Sequence, residues 1–337
     1  MLSRVAESLY WIGRNVERTQ HVAQLLDVHL LLWLDSGLAG EVEPARYWQR
    51  FQILCAPPEQ HALVAEPISA ASVGDFVISN NPAASILGSL SAARENARGV
   101  RESISSEVWE QINSQYWLVR NAIANRYWHG NSHEFLQDVK SGVSLLEGLI
   151  DQTMLHDQGW SFLRFGSYFE RAINTARLLD LKQQILTDVY DSGLSVDPLL
   201  HWAATLRCCW AFEAYRRYYA TTVEPARVAE FLLLNRHLPR SVNFALEQAL
   251  ALVKQLEGVQ VGRSHAERWL GNLQARLEYA TIGELQREGL HHVLDDVRRR
   301  CVDVEQGLYQ QYFHGRAAPV LSETDRDLLL LFEQEQQ

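Results

Sequence analysis

One helical pattern occurs twice in the chain, and this repeat constrains the fold more than any other feature of the sequence. The segments YWIGRNVERTQHVAQLLD and RFGSYFERAINTARLLD begin at Tyr10 and Arg164. In both segments apolar side chains recur every three or four residues, which is the pattern of an amphipathic helix. Aligned on their Glu-Arg pairs, the segments lie 153 residues apart and share Gly13/Gly166, Glu17/Glu170, Arg18/Arg171, Ala23/Ala176, Leu25/Leu178, Leu26/Leu179 and Asp27/Asp180. Identical residues in the same helical phase indicate an internal duplication.

A fainter echo downstream keeps the same order. The segments FVISNNPAASI, from Phe76, and FLLLNRHLPRSV, from Phe231, match at offsets of 155 and 156 residues. A unit of about 155 residues is far longer than a solenoid repeat. The sequence therefore predicts an all-α fold, a helical bundle built from two repeated halves with approximate pseudo-two-fold symmetry. The predicted halves, residues 1–155 and 156–325, pack as one globular unit, and residues 326–337 are predicted to be a frayed C-terminal tail.

Composition limits the classes of function. The chain has 337 residues, of which 47% are hydrophobic, and a formal net charge of -10. Such a chain can bury a large core, and its acidic charge disfavours nucleic acid as a partner, because phosphate binding normally requires a basic domain. The longest apolar runs, VHLLLWL and LLLLF, are far shorter than the ~20 residues of a membrane span, and the N-terminus does not read as a signal peptide. We therefore expect a cytoplasmic protein without a membrane partner.

The polar face of the first helix is unusual. On a helical wheel, the side opposite the apolar stripe carries Arg and Glu mixed with aromatic residues, at Arg4, Glu7, Tyr10, Trp11, Arg14, Glu17, Arg18 and His21. Because a solvated face would be rich in Lys, Glu, Gln and Ala, this helix is expected to be covered on both sides. Glu17 and Arg18 are adjacent and cannot pair well with each other. Across the predicted two-fold axis, Glu17 is expected to meet Arg171. Glu170 is expected to meet Arg18 in the same way.

Two interpretations of these Glu-Arg pairs stay open at this point. In the first, they are buried salt bridges that fix the register of the central helices. In the second, a polar cleft between the halves binds a substrate carboxylate or phosphate. The candidate substrate-binding residues of that cleft are Arg4, Glu7, Tyr10, Arg14, Arg18 and Arg171. Glu17 and Glu170 are the candidate catalytic residues, because paired carboxylates can act as general acid and base.

A second arginine cluster lies in the stretch SAARENARGVRESISS. Arg94, Arg98 and Arg101 are spaced i, i+4 and i+7, so on one helix they would share a face and form an anion-binding ridge. Asn96 lies among them and is a further candidate for substrate binding. The alternative is local pairing with the neighbouring glutamates along an exposed helix. Arg240, in LPRSV, is a weaker candidate because of its place in the second half.

The remaining motifs point to neither a metal nor a cofactor. His129 and His133 are four residues apart, but Gly130 lies between them and a third ligand is missing. The chain contains no P-loop, no strand followed by a Rossmann glycine motif, no nucleophile elbow and no HExxH zinc motif. Cys208 and Cys209 lie in an apolar helical segment and are expected in the core. No residue stands out as a nucleophile.

The doubled Glu-Arg helices, the ARENAR stretch after the NNPAAS loop, and the later LPRSV together resemble the alpha-E family, over nearly the whole chain. This bacterial helical family is named for its Glu-Arg motif. The resemblance places the motif positions at Glu17, Arg18, Glu170, Arg171 and the stretch from Arg94 to Arg98. The second copy departs from the first at several positions, among them Ser167, where the first copy has Arg14, and also Tyr168 and Phe169. The two halves of any site are therefore unequal.

The resemblance implies a functional context. Alpha-E proteins are typically encoded beside, or fused to, a circularly permuted ATP-grasp ligase, often with a transglutaminase-like peptidase and sometimes a proteasome-like hydrolase. This context implies ATP-dependent amide-bond formation on a peptide, with the alpha-E protein as a partner that binds a peptide or acyl-phosphate substrate in the Arg/Glu cleft. Two alternatives remain. The chain is a stand-alone enzyme that acts on amide bonds with Glu17 or Glu170 as general base, or it is a purely structural helical adaptor.

Overall fold

The computed structural model describes residues 1–35, 44–55, 67–82, 84–191, 198–220, 222–257 and 264–313. Within these ranges the structure contains helices and no strand, which confirms the predicted all-α class. The α-helices are α1 (Ser3–Asp35), α2 (Pro44–Cys55), α3 (Ala70–Asp75), α4 (Ile86–Gly99), α5 (Ser106–Ala124), α6 (Tyr127–Gly130), α7 (Ser132–Thr153), α8 (Gln158–Asp191), α9 (Pro198–Cys208), α10 (Phe212–Tyr219), α11 (Pro225–Leu234), α12 (Val242–Glu257), α13 (His265–Tyr279), α14 (Ile282–Glu288) and α15 (Leu290–Tyr312). A five-residue π-helix follows α3 directly, over Phe76–Asn80.

Side-chain caps begin several of these helices. Ser85 Oγ accepts a hydrogen bond from the backbone N–H of Gly88 at 3.0 Å and so begins α4. At the matched position of the second segment, Ser241 Oγ accepts from the N–H of Phe244 at 3.1 Å, at the start of α12. Each cap satisfies a backbone donor that the first turn of a helix leaves without a partner. The downstream echo in the sequence therefore marks two helix starts.

The two Glu-Arg segments form the long helices α1 and α8, which pack tightly against each other. A Cβ atom built on Gly13 would lie 2.0 Å from the backbone oxygen of Leu163, and one on Gly166 would lie 2.2 Å from the backbone oxygen of Tyr10. Only glycine permits this approach at either position. Further along the pair, Lys182 Nζ lies 3.1 Å from His29 Nε2. Because each contact joins α1 to the residue about 153 positions later in α8, the helices run in the same direction.

The long helices pack in two sets of four, and α1 and α8 each belong to one set. In the first set α1 packs on α4, α4 on α5, α5 on α7, and α7 back on α1. In the second set α8, α12, α13 and α15 follow one another in the same cyclic order. The pair α1–α8 joins the sets. This arrangement surrounds both central helices with other helices.

Because other helices surround α1, its polar face is buried as well as its apolar face. Leu9 and Ile12 on the apolar stripe are fully buried, and so are Tyr10 and Glu17 on the polar face. The prediction that α1 is covered on both sides is therefore confirmed. Cys208 and Cys209 are buried, as predicted for core residues. No helix in the described ranges is long and apolar enough to cross a membrane. Residues 326–337, the predicted tail, lie outside those ranges.

Candidate functional site

Glu17 lies at the centre of a buried ion cluster. Arg171, from α8, donates to Glu17 Oε2 through Nη2 at 2.6 Å and through Nε at 3.2 Å. Arg240, in the turn before α12, donates to Glu17 Oε1 through Nη1. The outer carboxylate of the cluster is Glu147, on α7, which accepts from Arg171 Nη2 at 3.1 Å. We call these four residues the Glu17 cluster.

Glu170 has a corresponding set of partners. Arg18, from α1, donates to its two oxygens through Nε at 2.8 Å and Nη2 at 3.1 Å. Arg14, one turn earlier on α1, donates through Nε to Oε2. Arg14 Nη1 also donates at 2.8 Å to Glu305, the outer carboxylate on α15. These four residues form the Glu170 cluster.

The predicted reciprocal pairs are therefore confirmed. Glu17 bonds Arg171, and Glu170 bonds Arg18, across the α1–α8 contact. The second arginine of each cluster has no arginine at the matched position in the other half. Arg14 has Ser167 at its matched position, whereas Arg240 precedes the capping Ser241. Each inner carboxylate thus receives two guanidinium groups although the two halves differ in sequence.

Electrostatics keep both inner carboxylates ionised. Burial raises the pKa of Glu17, but the charges of Arg171 and Arg240 outweigh burial and lower the pKa to about 2. Burial likewise opposes ionisation of Glu170, and Arg14 and Arg18 lower its pKa to about 2. At neutral pH neither carboxylate can take up a proton readily. This does not fit a general base, whose pKa should lie near the working pH.

The outer groups differ from the inner ones in accessibility. The side chains of Glu17 and Glu170 are 0% and 3% exposed, so both are sealed from solvent. Arg18 and Glu147 are each 23% exposed. Burial and the nearby negative charge of Glu17 raise the pKa of Glu147. A ligand would therefore reach the outer groups first.

Sequence reasoning missed the outer carboxylates, although a pattern identifies them. His133, Lys140 and Glu147 follow one another at intervals of seven residues on α7. The same spacing joins His291, Arg298 and Glu305 on α15, as shown by the sequence. Residues seven apart on a helix share a face, so each triplet forms one polar stripe. A search for widely spaced charged residues in both halves would have found them.

The first two residues of each stripe hold a buried aspartate. Asp27 accepts from Lys140 Nζ at 2.5 Å, and its other oxygen lies 2.7 Å from His133 Nδ1. On the second stripe, Asp180 lies 2.5 Å from His291 Nδ1 and 3.5 Å from Arg298 Nη1. The matched aspartates of the sequence repeat are therefore both held by a His and a cation.

The histidine pair considered as metal ligands does not converge. His133 binds Asp27, whereas His129 lies 3.4 Å from the carboxylate of Asp75. Among the described residues, no group of three or more His, Cys, Asp or Glu side chains is placed to hold a metal ion.

An exposed tryptophan covers part of the Glu17 cluster. The guanidinium of Arg240 stacks on the Trp210 ring, 4.4 Å from its centroid. Trp210 adopts a left-handed backbone conformation with φ of 50°, which costs roughly 1–3 kcal/mol for a residue other than glycine. Its side chain nevertheless stays partly in solvent. Sequence reasoning gave no indication of this residue, because positive φ at a non-glycine position leaves no sequence signal.

Several predicted substrate-binding residues lie elsewhere. Arg4 is exposed at the start of α1, and Glu7 is half-buried one turn later. Within the described ranges neither residue forms a hydrogen bond or an ion pair with the two clusters, whereas Tyr10 donates to Glu305 at 2.8 Å. Tyr10 is therefore the candidate of this group that extends the Glu170 cluster.

The predicted arginine ridge does not form. Helix α4 ends at Gly99, so Arg101 lies beyond it and stacks on Trp109 at 4.8 Å. Arg94 donates to Asn113 at 2.7 Å, and Arg98 pairs with Glu95 at 2.7 Å. The amide of Asn96 donates to the backbone oxygen of Ala92 in its own helix. These residues therefore form local contacts, which was the alternative to an anion-binding ridge.

A third polar group lies further along the α1–α8 pair. Lys182 is buried, and burial lowers its pKa to about 8. His29, its partner, also lies 2.8 Å from the hydroxyl of Tyr47 on α2. Burial and the charge of Lys182 lower the pKa of His29 well below its usual value. The sequence gave no reason to select these residues, because single Lys and His residues occur on many helices.

The fold and the site together define a class: an all-helical protein in which two parallel helices, each carrying a Glu-Arg pair, bind one another's charges reciprocally. The family described as "a predicted alpha-helical domain with a conserved ER motif", alpha-E, matches residues 1–313. The chain therefore belongs to the alpha-E family.

Curated relatives come from mycobacteria. Uncharacterised proteins of Mycobacterium bovis and of two strains of Mycobacterium tuberculosis are each 24% identical to the chain over 311 residues. The match covers 84% of this chain and 33% of each relative, so the chain spans about a third of their length. No solved structure matches the chain.

Proposed function

We propose that this chain is a non-catalytic substrate-binding partner of an ATP-grasp ligase in ATP-dependent amide-bond formation or peptide modification. The observation that carries the proposal is the layered charge of the two clusters. The inner carboxylates are ionised, sealed and each held by two arginines, whereas outer charged groups remain reachable from solvent. Such an arrangement can hold a peptide in a fixed position, and its two inner carboxylates are not ready to exchange protons at neutral pH.

The family context supports a partner role. The resemblance to alpha-E proteins implies an ATP-grasp ligase encoded nearby, and a transglutaminase-like peptidase as a further partner. In addition, the matched segment is only a third of each mycobacterial relative, so an alpha-E segment occurs within chains that have room for other domains. The peptide would be the shared substrate, recognised through its charged groups.

Co-purification with the neighbouring ATP-grasp ligase tests this function. We expect a stable complex, and ATP-dependent conversion of a peptide only when both proteins are present, detected by mass spectrometry of the product. The isolated chain should convert neither peptide nor ATP. Equal product from the ligase alone, or the absence of a complex, would overturn the proposal.

A structural adaptor is the second candidate, because the inner Glu-Arg pairs satisfy one another. Glu147→Gln distinguishes the two candidates, since Glu147 is an outer group with a raised pKa and its loss should leave the fold intact. A substrate-binding partner should lose product formation while still binding the ligase. A structural adaptor should support wild-type product formation. Arg98→Gln is the matched control, because Arg98 pairs only locally on α4.

We also propose that residues 1–155 and 156–325 are repeats related by an approximate two-fold axis between α1 and α8. The reciprocal contacts of Gly13 and Gly166, the cyclic packing of four helices in each set and the repeated seven-residue spacing support this symmetry. An experimental structure tests it by superposition of α1, α4, α5 and α7 on α8, α12, α13 and α15. A rotation near 180° is expected, and any other relation between the sets excludes the symmetry.

A further inference from the structure

Arg164 is a buried arginine whose hydrogen bonds are incomplete. It lies on α8, two turns before Arg171 and on the same face, and its side chain is 9% exposed. Its Nε and Nη1 atoms have no hydrogen-bond partner, and Nη2 makes only a long contact of 3.4 Å to the hydroxyl of Tyr168. Asp151 Oδ1 lies 3.4 Å from Nε without forming a hydrogen bond, and it already accepts from Trp160 Nε1. Buried donors of this kind are nearly always paired in proteins, because leaving them unpaired costs free energy.

A second guanidinium group lies near this arginine. The ring of Tyr168 lies between two guanidinium groups, 5.0 Å from Arg164 and 5.3 Å from Arg171. The outer carboxylate on this side is Glu147, and burial raises its pKa, so that its ionised form is disfavoured. Arg164 therefore keeps unused donors beside a second arginine, in a place where an additional anion would be stabilised.

The matched position on the other central helix shows that packing does not require this arrangement. Trp11 occupies the position of Arg164 in the repeat, and its Nε1 donates to the hydroxyl of Tyr309 at 2.9 Å. That pair is neutral, and the indole donor is satisfied. A charged residue with unused donors at Arg164 is therefore a departure specific to the Glu17 side of the molecule.

We propose that Arg164 and Tyr168 form a binding site for a carboxylate of the peptide substrate, an inference that rests on the proposed function. A guanidinium and a phenol supply the donors that a carboxylate prefers. A monoanion suits the site better than phosphate, because the carboxylates of Glu147 and Asp151 lie beside it and would repel a doubly charged group. The peptide carboxylate enters beside the half-buried Tyr168 and bonds the free donors of Arg164.

Titration calorimetry with the full chain tests this site. The probes are the dipeptide Ala-Ala with a free carboxylate, the same dipeptide as its C-terminal amide, and inorganic phosphate. We expect saturable binding of the free dipeptide, at least tenfold weaker binding of the amide, and weaker binding of phosphate. Arg164→Met should abolish binding of the dipeptide. Tyr168→Phe removes only a hydroxyl group and should weaken binding several-fold. Because this change is small, it tests the site even if Arg164→Met does not fold.

Arg98→Met is the matched control, because Arg98 is exposed and lies on α4, and it should bind as the wild type does. The site is overturned if the amide binds as tightly as the free acid, if phosphate binds more tightly, if the wild type binds no dipeptide, or if folded Arg164→Met binds like the wild type. The proposed function is tested separately by ligase co-purification. A ligase complex whose product formation is insensitive to Arg164→Met removes this site but keeps the partnership. Dipeptide binding at Arg164 without any ligase complex keeps the site and removes the partnership.

Discussion

The Glu17 and Glu170 clusters have the same inner chemistry but different surroundings. In each, a sealed carboxylate receives two guanidinium groups, and an outer glutamate bonds one of them. Around the Glu170 cluster, Tyr10 bonds Glu305 and Trp11 bonds Tyr309, so the neighbouring donors are satisfied. Beside the Glu17 cluster, Arg164 keeps two unbonded donors.

This difference separates the role of the motif from the role of its surroundings. A reciprocal Glu-Arg pair fixes the register of α1 and α8, because neither charge can stay buried without its partner. Such a role needs the same inner groups in both halves. Ligand binding needs a suitable surrounding at only one of the two clusters. Incomplete hydrogen bonding is found beside the Glu17 cluster, at Arg164. The inner pairs are therefore alike in the two clusters, whereas the neighbouring residues differ at Trp11 and Arg164.

Loss of either inner carboxylate should have the largest effect on stability. Glu17→Leu leaves Arg171 and Arg240 without their shared anion, and Glu170→Leu does the same to Arg14 and Arg18. Removing one partner of a buried ion pair costs about 3–5 kcal/mol. We therefore expect both variants to lose that much free energy of unfolding in urea at pH 7.

The exposed Glu110 on α5 provides the control for this substitution. Glu110→Leu should change the free energy of unfolding by less than about 0.5 kcal/mol. If one inner variant is as stable as the control, the two clusters are not equivalent in holding the central helices together.

Acid should weaken both clusters in the same pH window. A carboxyl group whose pKa falls from 4.5 to about 2 on folding stabilises the protein fully above pH 4.5, and this contribution is lost as the pH falls towards 2. Each group contributes about 3 kcal/mol by this reasoning. Glu17→Gln should therefore approach the stability of the wild type as the pH falls from 5 to 2, measured by urea unfolding at each pH. A constant difference across that range would contradict the lowered pKa of Glu17.

Glu147 should show the opposite dependence, because its pKa is raised on folding. Its ionised form is disfavoured in the fold, so the stability it contributes is present at low pH and is lost as the pH rises through the folded pKa. Glu147→Gln should consequently be at least as stable as the wild type at pH 7, with the difference vanishing below pH 4.5. A variant that is strongly destabilised at pH 7 would instead make Glu147 a structural ion-pair partner.

The central glycines test the close approach of α1 and α8. Gly13→Ala places a methyl group against the backbone of Leu163, and Gly166→Ala places one against the backbone of Tyr10. Overpacking against backbone atoms should cost about 3 kcal/mol in each case. Gly166→Ala should also disturb the Glu170 cluster, because its new Cβ would lie 3.2 Å from the backbone nitrogen of Arg14.

Thermal unfolding of the glycine variants gives the measurement, and Gly148→Ala is the control. Gly148 lies in α7 with open space at its Cβ position, so alanine there should stabilise the helix by about 0.5–1 kcal/mol. Wild-type stability of Gly13→Ala would show that the two helices can separate without cost.

A histidine distinguishes the two clusters at milder pH. His21, on α1, is half-buried, and burial together with the charge of Arg240 lowers its pKa to about 4, while Asn174 occupies the matched position on α8. Because the folded pKa lies below the ordinary value of 6.5, this contribution to stability is lost as the pH falls from 6.5 to 4. His21→Asn should remove about 3 kcal/mol of that pH dependence, measured by urea unfolding at pH 7 and pH 4. An unchanged profile would place His21 in free contact with solvent.

The sequence predicted the central contacts but not their surroundings. Glu17 with Arg171 and Glu170 with Arg18 were predictable because a duplicated motif on two central helices must face itself. Arg240 was selected only weakly, since its turn lies more than two hundred residues from Glu17 in the sequence.

Two kinds of error limited the rest of the prediction. The ridge through Arg101 failed because α4 ends at Gly99, and helix ends are set by local backbone bonds that periodicity does not reveal. Glu147 was missed although its seven-residue spacing from His133 and Lys140 is visible in the sequence, and Arg164 was missed because it takes part through tertiary contacts rather than through the motif. Their importance depends on whether their donors and acceptors are satisfied, which only three-dimensional placement determines.

The smallest expected effect compares the two matched pairs directly. Arg164→Met removes a buried charge with two unbonded donors, so the free energy of unfolding should stay within about 1 kcal/mol of the wild type or rise. Tyr309→Phe removes the acceptor of Trp11 Nε1 and should cost about 1 kcal/mol. Urea unfolding of the two variants beside the wild type at pH 7 gives both values. A loss above 2 kcal/mol for Arg164→Met would mean that Arg164 stabilises the folded protein. The difference between the two clusters would then be one of stability and would not indicate ligand binding.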